Sequence, residues 1–161
     1  GALRAPAPAV DEAGVSPVGE RMVALARREL ARGVVESPPG SNDSPDIARY
    51  RTATVGAVAG APWCAYFVSY IARQAGVPIG DHGQGMGLVD DITAWSQRTG
   101  RFIPTGGRPL PGDLALFDEH IGIVETVHPD GHVTLIEGNS ADRVQRVERQ
   151  LSELIGFARL R

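Results

Sequence analysis

Helical apolar spacing up to Gly100, strand-like alternation beyond Pro111, and a length of 161 residues together predict an α+β domain, helices first and antiparallel strands afterwards. That order of elements excludes a parallel βαβ array. The length suits one domain with a core large enough to fold alone, expected over residues 16–161. Ahead of it, residues 1–15 carry Ala5-Pro6-Ala7-Pro8-Ala9 and read as an extended linker or tail. The chain opens Gly1-Ala2-Leu3-Arg4 without an initiator Met, which reads as a chain trimmed of whatever signal preceded it. A net charge of −3 offers no electrostatic case for nucleic acid or an anionic membrane. No apolar run approaches the roughly 20 residues of a membrane-spanning helix.

Ser16-Pro17 supplies a cap and a first-turn proline for a helix whose stripe is Met22, Val23, Ala26 and Leu30, with Gly33 ending it. Residues 34–43 read as a loop. Ser44-Pro45-Asp46 opens a short second helix through Ile47 and Tyr50. A Gly/Ala-rich stretch from Ala53 to Pro62 leads into a third helix from Cys64 to Ala75, apolar on most faces and therefore expected at the centre of the core. A fourth helix covers Leu88 to Arg98. Asp113 to Phe117 then reads as a strand, and His120–Val127 and His132–Gly138 as a hairpin around Pro129-Asp130-Gly131. Arg143–Gln150 alternates weakly, and Ile155–Leu160 closes the chain as a last strand.

Cys64 is the single cysteine, so no intramolecular disulfide is available. A helix start presents unpaired N–H groups and the positive end of the macrodipole, where a thiol ionises more readily and the thiolate is the nucleophile. Free cysteines are also among the most buried residues, and position alone leaves the two readings even.

A cysteine nucleophile needs a base, and the base needs an orienting group. Among four histidines, His82 lies in a glycine-rich loop and His128 and His132 flank the hairpin turn, where all three read as bystanders. His120 begins an apolar strand. With Pro129 and Asp130 at the turn centre it lies opposite Asn139; with a loop one residue longer, opposite Ser140. Glu137 and Asn139 share a strand face, within reach of the imidazole from a cross-strand or diagonal position. Gly138 between them permits close approach or a bulge. The spacing of His128 and His132 is ligand-like, but a turn explains it, and no zinc site is expected.

These residues resemble the CHAP domains, cysteine- and histidine-dependent amidohydrolases/peptidases of the papain-like superfamily. The matching blocks are Trp63-Cys64-Ala65-Tyr66-Phe67-Val68, Pro111-Gly112-Asp113-Leu114-Ala115-Leu116-Phe117, His120-Ile121-Gly122-Ile123-Val124-Glu125 and Ile136-Glu137-Gly138-Asn139. The resemblance implies a papain-like fold, with the nucleophile at a helix start packed on a C-terminal antiparallel sheet. It implies Cys64 as nucleophile, His120 as base, and Glu137 as orienter with Asn139 supporting. It further implies bacterial peptidoglycan as partner, cleavage of a wall amide bond, and a secreted or envelope-associated protein, expected monomeric. Asn42-Asp43-Ser44-Pro45-Asp46-Ile47 with Tyr50 resembles a block of one bacterial subset. Asn42 is a candidate oxyanion donor beside the Cys64 N–H, and Trp63 is read either as a cleft wall for substrate or as a core aromatic. Val55 to Gly60 lacks the oxygen ligands of the calcium loop found in some relatives, so neither calcium nor another cofactor is expected. The competing readings are a non-catalytic wall-binding domain of the same fold and an amidase of a small peptide conjugate.

Overall fold

The computed structural model describes residues 14–161. The linker expected over residues 1–15 therefore lies outside the described residues, except for Gly14 and Val15, which are half-buried. Four helices come first: α1 Pro17–Ala31, α2 Pro45–Arg51, α3 Cys64–Gln74 and α4 Val89–Arg98. Six strands follow: β1 Phe102–Pro104, β2 Leu114–Leu116, β3 Ile121–Val127, β4 Val133–Ser140, β5 Arg143–Arg149 and β6 Gly156–Ala158. They form one antiparallel sheet in the order β1-β6-β2-β3-β4-β5. This is an α+β arrangement, and β1 is an edge strand that the sequence pattern did not show.

Local chemistry explains the helix starts. Ser16 Oγ accepts from the Gly19 N–H at 2.9 Å, and Ser44 Oγ from the Ile47 N–H at 3.1 Å, each followed by proline at the first helical position. Helix α3 differs: Trp63 precedes it and gives no side-chain cap. Its first N–H groups are thus left for other partners.

The helices pack on one face of the sheet. Phe67, Val68 and Ile71 of α3, Met22 and Ala26 of α1, and Ile121, Ile123 and Ile136 of the sheet share one core cluster. Ala115, Phe117, Val124, Val133, Leu135 and Phe157 form a second cluster on the opposite face. Tyr50 of α2, fully buried, lies against Trp63 and meets the Phe67 ring edge-on at 5.2 Å. Each such aromatic pair contributes about 0.5–1.5 kcal/mol beyond its burial. The segment around Asn42–Tyr50 therefore buttresses the start of α3 from behind.

Two irregularities set the β3–β4 register. Val127 pairs with Val133 and Thr126 with Thr134, whereas Val124 pairs with Leu135 and Ile123 with Ile136. The one-residue offset is a bulge at Glu125. Both turn alternatives are therefore realised: the longer loop holds near the turn, and beyond the bulge the register returns to the one that sets His120 against Asn139. In the β4–β5 pairing a second bulge lies between Glu137 and Ser140. Asn139 sits there at φ 54°, a left-handed conformation that asparagine tolerates better than most residues.

Gly138 is where α3 meets this strand. A Cβ there would lie 2.6 Å from Phe67 Cβ and 2.8 Å from Phe67 Cγ. No rotamer of Phe67 relieves a contact to its own Cβ, so the helix itself has to move. Gly138→Ala is expected to destabilise the fold by about 1–3 kcal/mol, the usual range for overpacking. Gly106→Ala, at a position with nothing within 4 Å of the added methyl, is expected to leave stability unchanged. Denaturant unfolding of the two variants against the parent chain checks both.

Candidate active site

Cys64 is the first residue of α3 and is buried, 5% exposed. Beside it opens a cleft of about 380 Å³ lined by Pro62, Gly87, Leu88, Val89, Asp90 and Glu119. The loop before the helix is held on two sides. The Asn42 side-chain amide donates to the Gly60 carbonyl at 3.1 Å, and buried Glu36 accepts from the Trp63 Nε1–H at 3.1 Å and the Asn42 N–H at 2.7 Å.

His120 closes the turn between β2 and β3, where the Phe117 N–H donates to the His120 carbonyl at 2.9 Å and Glu119 takes φ 65°. Its Nε2 lies 2.8 Å from Glu137 Oε1. That leaves Nδ1 as the nitrogen available to Cys64, whose side chain interacts with the ring. The ring also rests against Phe117, with centroids 5.4 Å apart.

Glu137 has no exposed surface, and a buried carboxylate is unstable without partners. Arg149 supplies them from β5: its Nε donates to Oε2 and its NH2 to Oε1, both at 2.9 Å. The guanidinium also stacks over Phe117 at 4.9 Å. Two cationic groups therefore fix one carboxylate, and the carboxylate fixes the imidazole. Gly122 makes room for this, since a Cβ there would approach Glu137 Cγ to 2.8 Å.

The electrostatics follow from this packing. Burial by itself pushes the His120 pKa down, but hydrogen bonding to Cys64 and Glu137 and the charge on both override it, raising the value from 6.5 to about 9. For Glu137, burial favours the neutral acid, and hydrogen bonds and charge from His120 and Arg149 outweigh it, leaving the pKa below the usual carboxylate value. At neutral pH the site accordingly holds an imidazolium against a carboxylate, with the Cys64 sulfur on its other edge.

Cys64, His120 and Glu137 are thus brought together. Asn139 makes no side-chain hydrogen bond among the described residues, and its observed contribution is the left-handed backbone at the bulge. Trp63 requires a correction. It is fully buried against Tyr50 with its N–H bound to Glu36, so it is a core aromatic and offers no surface to a substrate. Asn42 braces the loop ahead of Cys64 through Gly60. Sequence reasoning missed Arg149 and Glu36. Arg149 sits in a strand of alternating charge, where nothing local sets it apart from Arg143 or Arg146.

The family description that matches this sequence is the CHAP domain, over residues 56–139, just over half of the chain. The matched span includes Cys64, His120 and Glu137 and stops short of Arg149. No curated protein and no solved structure gives a match.

A histidine whose pKa is raised in the fold adds stability that is complete below its ordinary value of 6.5 and lost as pH climbs through about 9. The His120 ring is therefore expected to titrate near 9 by NMR. Glu137→Gln should lower that value. Gly122→Ala should do the same, because its methyl displaces the carboxylate; an unshifted His120 in both variants would show that Glu137 does not set the charge of the ring.

Proposed function

Because the chain belongs to the CHAP domain family, whose members are generally hydrolases acting on the cell wall, we propose that it hydrolyses an amide bond of bacterial peptidoglycan with Cys64 as nucleophile. The observation that carries this reading is the chain of contacts from Arg149 to Glu137 to His120 to Cys64, ending at an open cleft.

The reaction runs in two halves. The Cys64 thiolate adds to the amide carbonyl, and the oxyanion is met by the Cys64 backbone N–H at the uncapped start of α3. The intermediate collapses with cleavage of the C–N bond, and the His120 imidazolium delivers its proton to the leaving amine. This leaves a thioester on Cys64 and a neutral His120. The imidazole then takes a proton from water as the water adds to the thioester. Collapse releases the carboxylic acid and restores the thiolate–imidazolium pair. Glu137 stabilises the imidazolium at both stages and stays ionised throughout, which its two hydrogen-bonded cationic partners favour. Arg149 is a positioning residue acting through Glu137. On this reading the protein works in the cell envelope or outside it.

The test is digestion of purified peptidoglycan, with released fragments identified by mass spectrometry. The parent chain is expected to release fragments with a new amine and a new carboxylate. Cys64→Ala should release none, His120→Ala should be slower by about 10²- to 10⁴-fold, and Glu137→Gln should be weakened yet active. A parent chain that sediments with the wall and releases nothing would favour a binding module instead, and a Cys64→Ala variant of full activity would end the thiolate mechanism.

A further inference from the structure

His128 and His132 were explained at the sequence level by the turn between them. In the fold they meet a third group. The turn is closed by the His128 N–H donating to the His132 carbonyl at 3.0 Å and the Gly131 N–H to the His128 carbonyl at 2.9 Å. This closure sets the two imidazoles face to face, with centroids 4.0 Å apart and planes 4° from parallel. Pairing of Thr134 with Glu148 brings β5 alongside. Glu148 Oε2 then lies 3.1 Å from His132 Nε2 and 3.6 Å from His128 Nε2. The three ligand atoms all fall within 4.8 Å of one another.

We propose that His128, His132 and Glu148 form a binding site for a divalent transition ion, zinc above all, at the turn of the β3–β4 hairpin. Two imidazoles and a carboxylate are a zinc ligand set, with a fourth position left for water. Tetrahedral bonds of about 2.0–2.1 Å place ligand atoms about 3.3–3.4 Å apart. The distances of 3.1 and 3.6 Å bracket that separation.

The groups behind the ligands support the assignment. Asp130 contacts His132 Nδ1, and a carboxylate there holds the proton on Nδ1 and leaves the Nε2 lone pair facing Glu148. Asp130 also accepts from the His132 backbone N–H at 3.0 Å. Buried Thr134 donates its hydroxyl to Glu148 Oε1 at 2.7 Å, which leaves Oε2 for the ion. His128 Nε2 donates to the same hydroxyl at 2.7 Å, and on binding it gives up that proton and contact and presents its lone pair to the metal, as ligands release protons to an ion.

The site is separate from the catalytic cleft. The seven residues of β3 lie between His120 and His128, eight steps or roughly 25 Å along an extended chain. Its consequence for the cleft is mechanical. Glu148 is followed by Arg149, whose guanidinium fixes Glu137. An ion joining the β3–β4 turn to β5 anchors the strand that carries this arginine.

Zinc titration by calorimetry, on the Cys64→Ser chain so that the thiol cannot compete, tests the proposal. One ion is expected per chain, with thermal unfolding shifted upward by added zinc. His128→Ala, His132→Ala and Glu148→Gln should each weaken binding at least tenfold. Asp130→Asn should weaken it by about 10- to 100-fold, the usual effect of removing a group behind a ligand. Circular dichroism confirms that each variant is folded. Absence of binding to the Cys64→Ser chain, or equal binding by a folded His128→Ala/His132→Ala chain, would overturn the assignment.

Discussion

A carboxylate with no exposed surface is the demand around which this structure is arranged. Glu137 sits on β4, fully buried between β3 and β5, and charge there is tolerated only where it is matched. Arg149 approaches from β5 with two hydrogen bonds, and His120 arrives from the end of the β2–β3 turn with one. Removing either partner leaves a buried charge short of compensation, which is why the arrangement specifies a register as well as a contact. The same demand places the imidazole and keeps it protonated at neutral pH.

Two glycines and two bulges make the geometry possible. Gly122 clears the path of the Glu137 side chain, and Gly138 lets Phe67 lie directly on the strand, which seats the start of α3 over the sheet. The bulge at Glu125 absorbs the extra residue of the hairpin loop, and buried Glu125 is held there by Arg27 and Arg146. The pairing near His120 is thereby kept in the register that serves Glu137. Packing and chemistry are coupled at these points, since α3 carries both Phe67 and Cys64.

The helix caps, the buried character of α3 and the order of helices and strands were legible because they rest on local rules: a serine before a proline, apolar spacing of three and four, alternation of two. The pair of His120 and Glu137 was legible because a hairpin converts sequence spacing into proximity. Arg149 was not, because in the strand pairing its partner is Val133, and its long side chain reaches Glu137 from four positions along the same face of β4. The place of Trp63 was equally hidden. Its burial depends on Tyr50 from another helix and on Glu36 from a loop, neither of which is tied to it by spacing.

Taken by itself, the sequence determined the class of fold, the helix that presents Cys64, the histidine and carboxylate that a hairpin brings together, and through its ordered motifs the membership in the CHAP family. Those are consequences of short-range periodicity and of residues close along the chain. The tertiary structure alone decided which cation neutralises Glu137, which residues hold the loop ahead of Cys64, and that two turn histidines meet Glu148 on a neighbouring strand. Each of these depends on segments distant in sequence, whose meeting is set by buried charge and close packing in the assembled core.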